Sequence, residues 1–226
     1  MDEFLKILED QVQIVALSIM AIVYISKVIW IMRFKPFVEK TPAKGSHRAG
    51  VAYSFSTIAM PWSMESSSKK PYKYVEFAVF HLGVLAAIVI SFIIPYWPQV
   101  MESAAAVILA RTIIGLALIA GLIRIVRRIA FASMRAISSP DDYFSLFLLE
   151  IWLFFAFWAA SNDNYWMLVC FFALTAFFLI YVPFSKISHY LLWPFSRYYL
   201  GKHLGHRGVY PKIQDRHGLR VTNQTN

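Results

Sequence analysis

Two histidines fall in stretches where water is scarce. His81 follows Phe77-Ala78-Val79-Phe80 and precedes Leu82-Gly83-Val84-Leu85. His189 closes the run Val182-Pro183-Phe184-Ser185-Lys186-Ile187-Ser188. An imidazole in hydrocarbon needs a partner, and ionisable residues inside membranes mark functional sites. The partner is either a backbone carbonyl or a metal. Read as helix residues of two neighbouring spans, both histidines fall at one depth near the basic side. Imidazoles so placed can fill both axial positions of one haem b iron and leave none for oxygen, which suits electron transfer. Gly83, close to His81, leaves room for a porphyrin edge on this reading. Lys186, Arg124 and Arg127 are candidate partners for the propionates, and the sequence does not choose among them.

Two further charges lie within apolar stretches. Arg111 is costly at its depth and should face the bundle or a cavity. One reading gives it a pocket for a quinone head group; the other bonds it to helix ends or to Asn162 or Ser91. Glu150 has three uses open to it: a protonated carboxyl in the bundle, a contact to a haem-facing group, or a relay for protons from quinol oxidation. Glu76, beside Lys73, reads as a charge of the interface. His47, His203, His206 and His217 lie in basic polar segments, where solvated histidines are the default. Cys170 is the single cysteine, so neither an intrachain disulfide nor a thiol-held iron–sulfur cluster is available.

These side chains require a membrane scaffold. Of 226 residues, 58% are hydrophobic and only 15% charged, where soluble domains carry about a quarter charged. Five apolar segments reach spanning length, near 12–32, 74–97, 104–126, 143–160 and 165–188. The fold expected is all-α, an integral membrane bundle of five transmembrane helices within residues 1–200. A cytoplasmic or interfacial loop at 33–73 and a basic cytoplasmic tail at 201–226 complete the chain. Met1-Asp2-Glu3 lacks the basic start of a cleaved signal, so the first segment is expected to stay.

The net charge of +9 is topological rather than a sign of nucleic acid, since no basic face interleaved with aromatics accompanies it. Lys and Arg crowd the links between the first and second segments, between the third and fourth, and the tail. The links around 98–102 and 162–164 have none. The positive-inside rule then predicts the N-terminus outside and the C-terminus cytoplasmic. Within the first link, Val51-Ala52-Tyr53-Ser54-Phe55 and Met60-Pro61-Trp62 are expected along the membrane interface, beneath a partner subunit, or as an ordered loop over helix ends.

At its histidines the chain resembles a known family. Phe80-His81-Leu82-Gly83-Val84-Leu85 is similar to the second-helix pattern of respiratory nitrate reductase gamma subunits. Pro183-Phe184-Ser185-Lys186-Ile187-Ser188-His189, with Pro194 beyond, resembles their fifth-helix pattern. Arg127-Arg128 and Arg135-Ala136-Ile137-Ser138-Ser139-Pro140-Asp141-Asp142 look like the basic connection between. Related cytochromes occur in heterodisulfide reductases and in the complex associated with dissimilatory sulfite reductase, and Pro140-Asp141-Asp142-Tyr143 looks especially like those. The resemblance implies a cytochrome b of a prokaryotic inner membrane, passing electrons between quinone or quinol and a cytoplasmic iron–sulfur subunit. It maps the inner histidine pair of two-haem relatives onto His81 and His189. Where the outer pair would stand, this chain has Ser91 and Phe171, neither a haem ligand, so one haem is expected. The vacated outer half should be filled by Phe171, Phe172, Trp166, Phe92 and Trp158, because interiors are close-packed.

The function expected is a monohaem electron-transfer subunit, with substrate chemistry on another subunit. The alternative is a haem-free membrane anchor or small transporter on the same scaffold. No inverted repeat favours a transporter, and no nucleophile–base set or zinc motif favours a hydrolase.

Overall fold

A computed structural model describes residues 3–60, 62, 69–161 and 163–211. Five helices are long and apolar enough to cross a membrane: α1 (Glu3–Met32), α3 (Pro71–Tyr96), α4 (Ala104–Ala130), α5 (Pro140–Ala159) and α6 (Tyr165–Tyr181), whose span runs on through the next turn as Tyr165–Phe184. Two more, α2 (His47–Ser56) and α7 (His189–His206), lie outside that set. The described chain is wholly helical apart from its connections, and the protein is a multi-pass helical membrane protein. Large apolar side chains such as Ile22, Ile108 and Leu82 are more than half exposed, a surface suited to lipid.

The chain forms two compact units: Met1–Arg33 with Tyr72–Ser188, and Phe34–Pro71 with His189–Asn226. In the first, the spans alternate in direction. Glu76 of α3 meets Arg124 and Arg127 of α4, and Gly83 meets Ala117. Gly121 of α4 meets Glu150 of α5, and Trp152 of α5 meets Thr175 of α6. α1 runs parallel to α6. Gln13 donates to the Phe172 carbonyl at 2.8 Å, and Lys27 donates to that of Pro183. Each bond satisfies a polar side chain that lipid would leave bare. α1 carries a π-helical turn, Ile7–Gln11, after its first α-helical turn, Glu3–Lys6.

Helix ends follow local chemistry. α5 starts at a capping box: the Ser139 N–H donates to Asp142 Oδ2 at 2.7 Å, and Pro140 occupies the first turn, where its missing N–H costs nothing. α6 stops at Tyr181 because Pro183 lacks an N–H and Ser185 is extended. Two 3₁₀ turns, Val182–Phe184 and Lys186–Ser188, follow. The fifth span is therefore shorter than the 165–188 expected, and His189 is not one of its side chains. It opens α7 in the other unit.

The second unit pairs α2 with α7. Val51–Phe55, expected as an interfacial stretch or a loop, lies within α2. An added Cβ at Gly50 would overlap backbone of Gly201 and Gly205, so the two helices touch main chain to main chain. Residues 201–206, expected to start the polar tail, are the last turns of α7, with Gly201, Gly205 and His206 buried. Pro61, Asn162, His217 and the tail from 212 onward lie outside the described residues.

Candidate functional site

α3 buries Phe80, Gly83, Ala87, Ile90 and Ile94, one helical stripe. His81, Leu85, Ile88 and Phe92 fall on another stripe, which is exposed. That stripe ends at Tyr96, whose hydroxyl donates to Asp10 of α1 at 2.9 Å. His81 Nδ1 lies 2.7 Å from the Phe77 carbonyl one turn back. A carbonyl only accepts, so Nδ1 is the donor in this bond. Metal-ligating histidines commonly have this arrangement, in which the second nitrogen's hydrogen bond fixes ring and tautomer. The Phe77 ring packs on the imidazole at 4.1 Å between centroids.

The residues before His189 are held by the acidic pair that opens α5. Asp141 accepts from the Tyr181 hydroxyl at 2.7 Å and from the Lys186 backbone N–H at 3.2 Å. Asp142 accepts from Lys186 Nζ at 2.8 Å, with Arg128 at 3.8 Å. Two of the segments that carried the family resemblance, Ser139–Asp142 and Pro183–Ser188, thus meet in space.

Several expected haem neighbours are otherwise engaged. The space beside Gly83 is taken by the Ala117 side chain, on the face of α3 away from the His81 stripe. Arg127 clamps Glu76 with two bonds, at 2.7 and 2.9 Å, and Arg124 adds a third at 3.1 Å while lying over the Phe80 ring. Glu76, read from sequence as a charge of the interface, is the acceptor that organises both arginines. Lys186 is bonded to Ser139 and Asp142.

In the other half of the bundle, Phe171 and Phe172 are fully buried, and Phe171 stacks on Trp152 at 5.9 Å. Trp152 Nε1–H donates to Thr175 at 2.8 Å, and Thr175 donates to the Phe171 carbonyl. Trp166, Phe92 and Trp158, expected to share this filling, lie 69%, 45% and 44% exposed instead. Trp152 supplies part of that volume, because it faces Phe171 across the α5–α6 contact.

Arg111 bonds near a helix end and also borders a cavity. Its Nε–H donates to the Phe157 carbonyl at 3.1 Å, near the end of α5, and its guanidinium lies over Phe157 and Trp158. It also lines a cavity of about 430 Å³ with Pro98, Glu102, Val107, Ser161 and Asp163. Ser91 is not its partner: that hydroxyl bonds the Ile88 carbonyl of its own helix. Asn162, the other expected partner, lies outside the described residues. Glu150 is buried against Gly121, and neither oxygen has a hydrogen-bond partner among the described residues.

A further polar cluster, in the second unit, was not expected. His206 is buried, with Nε2 2.8 Å from the Thr41 carbonyl and Nδ1 2.9 Å from His47 Nε2. Glu39 accepts from Arg207 at 2.8 Å and lies 3.5 Å from His203. The Arg207 bond, reinforced by His203, outweighs desolvation and holds the Glu39 carboxyl below its usual range. The readable signal was Gly201-x-x-x-Gly205, a spacing that lets helices approach closely and bring such residues together. No family model matches the chain, and no curated protein or solved structure matches it either.

Proposed function

We propose that this protein is a monohaem cytochrome b subunit of a respiratory oxidoreductase complex in a prokaryotic inner membrane. His81 and His189 would hold one haem b, which supplies one-electron transfer when bound. The observation that carries the reading is the His81 bond to the Phe77 carbonyl, the carbonyl partner expected of this imidazole, which also fixes the ring on a membrane span as the second-nitrogen bond of a metal-held histidine does. The donor chemistry therefore fits the group. The packed shell of Phe171, Phe172 and Trp152 supports a single haem, since the position of a second ligand is filled.

Charge supports the orientation. At one end of the first unit stand Arg124, Arg127, Arg128 and Lys186; at the other stand Asp10, Glu102 and Asp163. The basic end faces the cytoplasm on this reading, with the N-terminus outside, and offers a docking face to an acidic iron–sulfur subunit. Arg111, at the edge of its cavity, is the proposed contact for a quinone or quinol carbonyl. Substrate chemistry belongs to the partner.

The test is haem content per chain and a reduced-minus-oxidised spectrum of the purified complex, with His81→Ala and His189→Ala alongside. Loss of one low-spin haem in both variants, with the protein still inserted, is expected. Absence of haem from the wild-type chain would overturn the reading and leave the haem-free anchor. Two haems would refute the single-site assignment.

A further inference from the structure

The residue of interest is Glu150, halfway along α5 and 7% exposed. Its carboxyl occupies the notch that Gly121 leaves in α4: an added Cβ there would overlap Oε1. No hydroxyl, amide or cation of the described residues bonds to either oxygen. An ionised carboxylate so placed has lost its water and gained no donors, which strongly disfavours the charge.

The surrounding charges do not reverse this. From α4, Arg124 stands one turn from Gly121, but its Nε–H is spent on Glu76 and its guanidinium lies over Phe80. From α3, Glu76 is the nearest acid in that cluster, clamped by Arg127. α6 contributes no Asp, Glu, Lys, Arg or His; its titratable side chains are Tyr165, Cys170 and Tyr181. On α5 itself the other acids, Asp141 and Asp142, are about two turns away and bonded to the Lys186 turn.

We propose that Glu150 is a proton-binding site within the membrane, a carboxyl kept in its protonated form by burial without donors, whose proton exchanges with water. The chemistry is a single O–H bond, broken when the proton leaves to water and re-formed on its return. The site needs no haem and stands independently of the electron-transfer reading.

Infrared spectra of the purified full-length protein test it, because a protonated carboxylic acid has a carbonyl stretch that a carboxylate lacks. The wild-type minus Glu150→Gln difference at pH 7 should show that band, shifted down in D₂O. Identical spectra for the two proteins would overturn the proposal. A band present but unmoved by D₂O would overturn the exchange with water. Glu150→Leu is the second variant in case Gln does not fold. Failure of both neutral substitutes to fold would also overturn it, since a neutral carboxyl tolerates neutral replacement.

Discussion

Gly121→Ala is the substitution that most directly probes how α4 and α5 fit together. The new methyl group would land on Glu150 Oε1 and lie within 3.0 Å of Oε2. Neither atom has open space to enter, because both are buried. Relief requires Glu150 to leave a preferred rotamer or α4 to move away from α5, and overpacking of this kind costs about 1–3 kcal/mol. A value near 2 kcal/mol is expected, about a 30-fold fall in the folding constant. The overlap is with the carboxyl alone, so it should vanish when the carboxyl is removed. In a Glu150→Ala background, Gly121→Ala should cost less than about 0.5 kcal/mol, leaving a coupling energy of about 1.5 kcal/mol. The assay is reversible denaturant unfolding of the four proteins in detergent micelles, read by tryptophan fluorescence. An equal cost of Gly121→Ala in both backgrounds would refute the packing argument, and with it the burial on which the proton site rests.

Phe171→Ala should destabilise the bundle by about 3–5 kcal/mol, because a fully buried ring stacked on Trp152 leaves a cavity; the same unfolding assay reads it, and a cost near zero would mean the outer half is loosely filled. Asp142→Ala removes the N-terminal box of α5 together with the Lys186 bond, and should cost about 1–2 kcal/mol, with faster proteolysis at the Val182–Ser188 turns as the readout. Glu39 has a folded pKa below its ordinary value of 4.5, so its contribution is fully present above that value and is lost as pH falls through the lower folded pKa. Helical circular dichroism followed below pH 5 should therefore show a loss that Glu39→Gln flattens and that salt weakens; an unchanged profile in the variant would discard the Arg207 pairing. Gly205→Leu should separate α2 from α7 and expose His206, which a rise in its reactivity toward diethyl pyrocarbonate would report.

The membrane class and the five spans were legible in the sequence because they depend on composition over about 20 residues, a property that needs no partner. The charge asymmetry was legible for the same reason. Three matters were not. Glu76 looked like an interfacial charge until α4 brought two arginines to it from about 50 residues away. Gly83 looked like room for a cofactor, but α4 fills that side with Ala117. The helix α2 was hidden because its stability comes from close backbone contact with α7, not from an apolar stripe of its own. Composition sets the solvent of each segment, whereas contacts across long sequence separations set which face of a helix is shut, which acid has a donor, and which, like Glu150, has none. Those depend on packing, and only the tertiary structure could decide them.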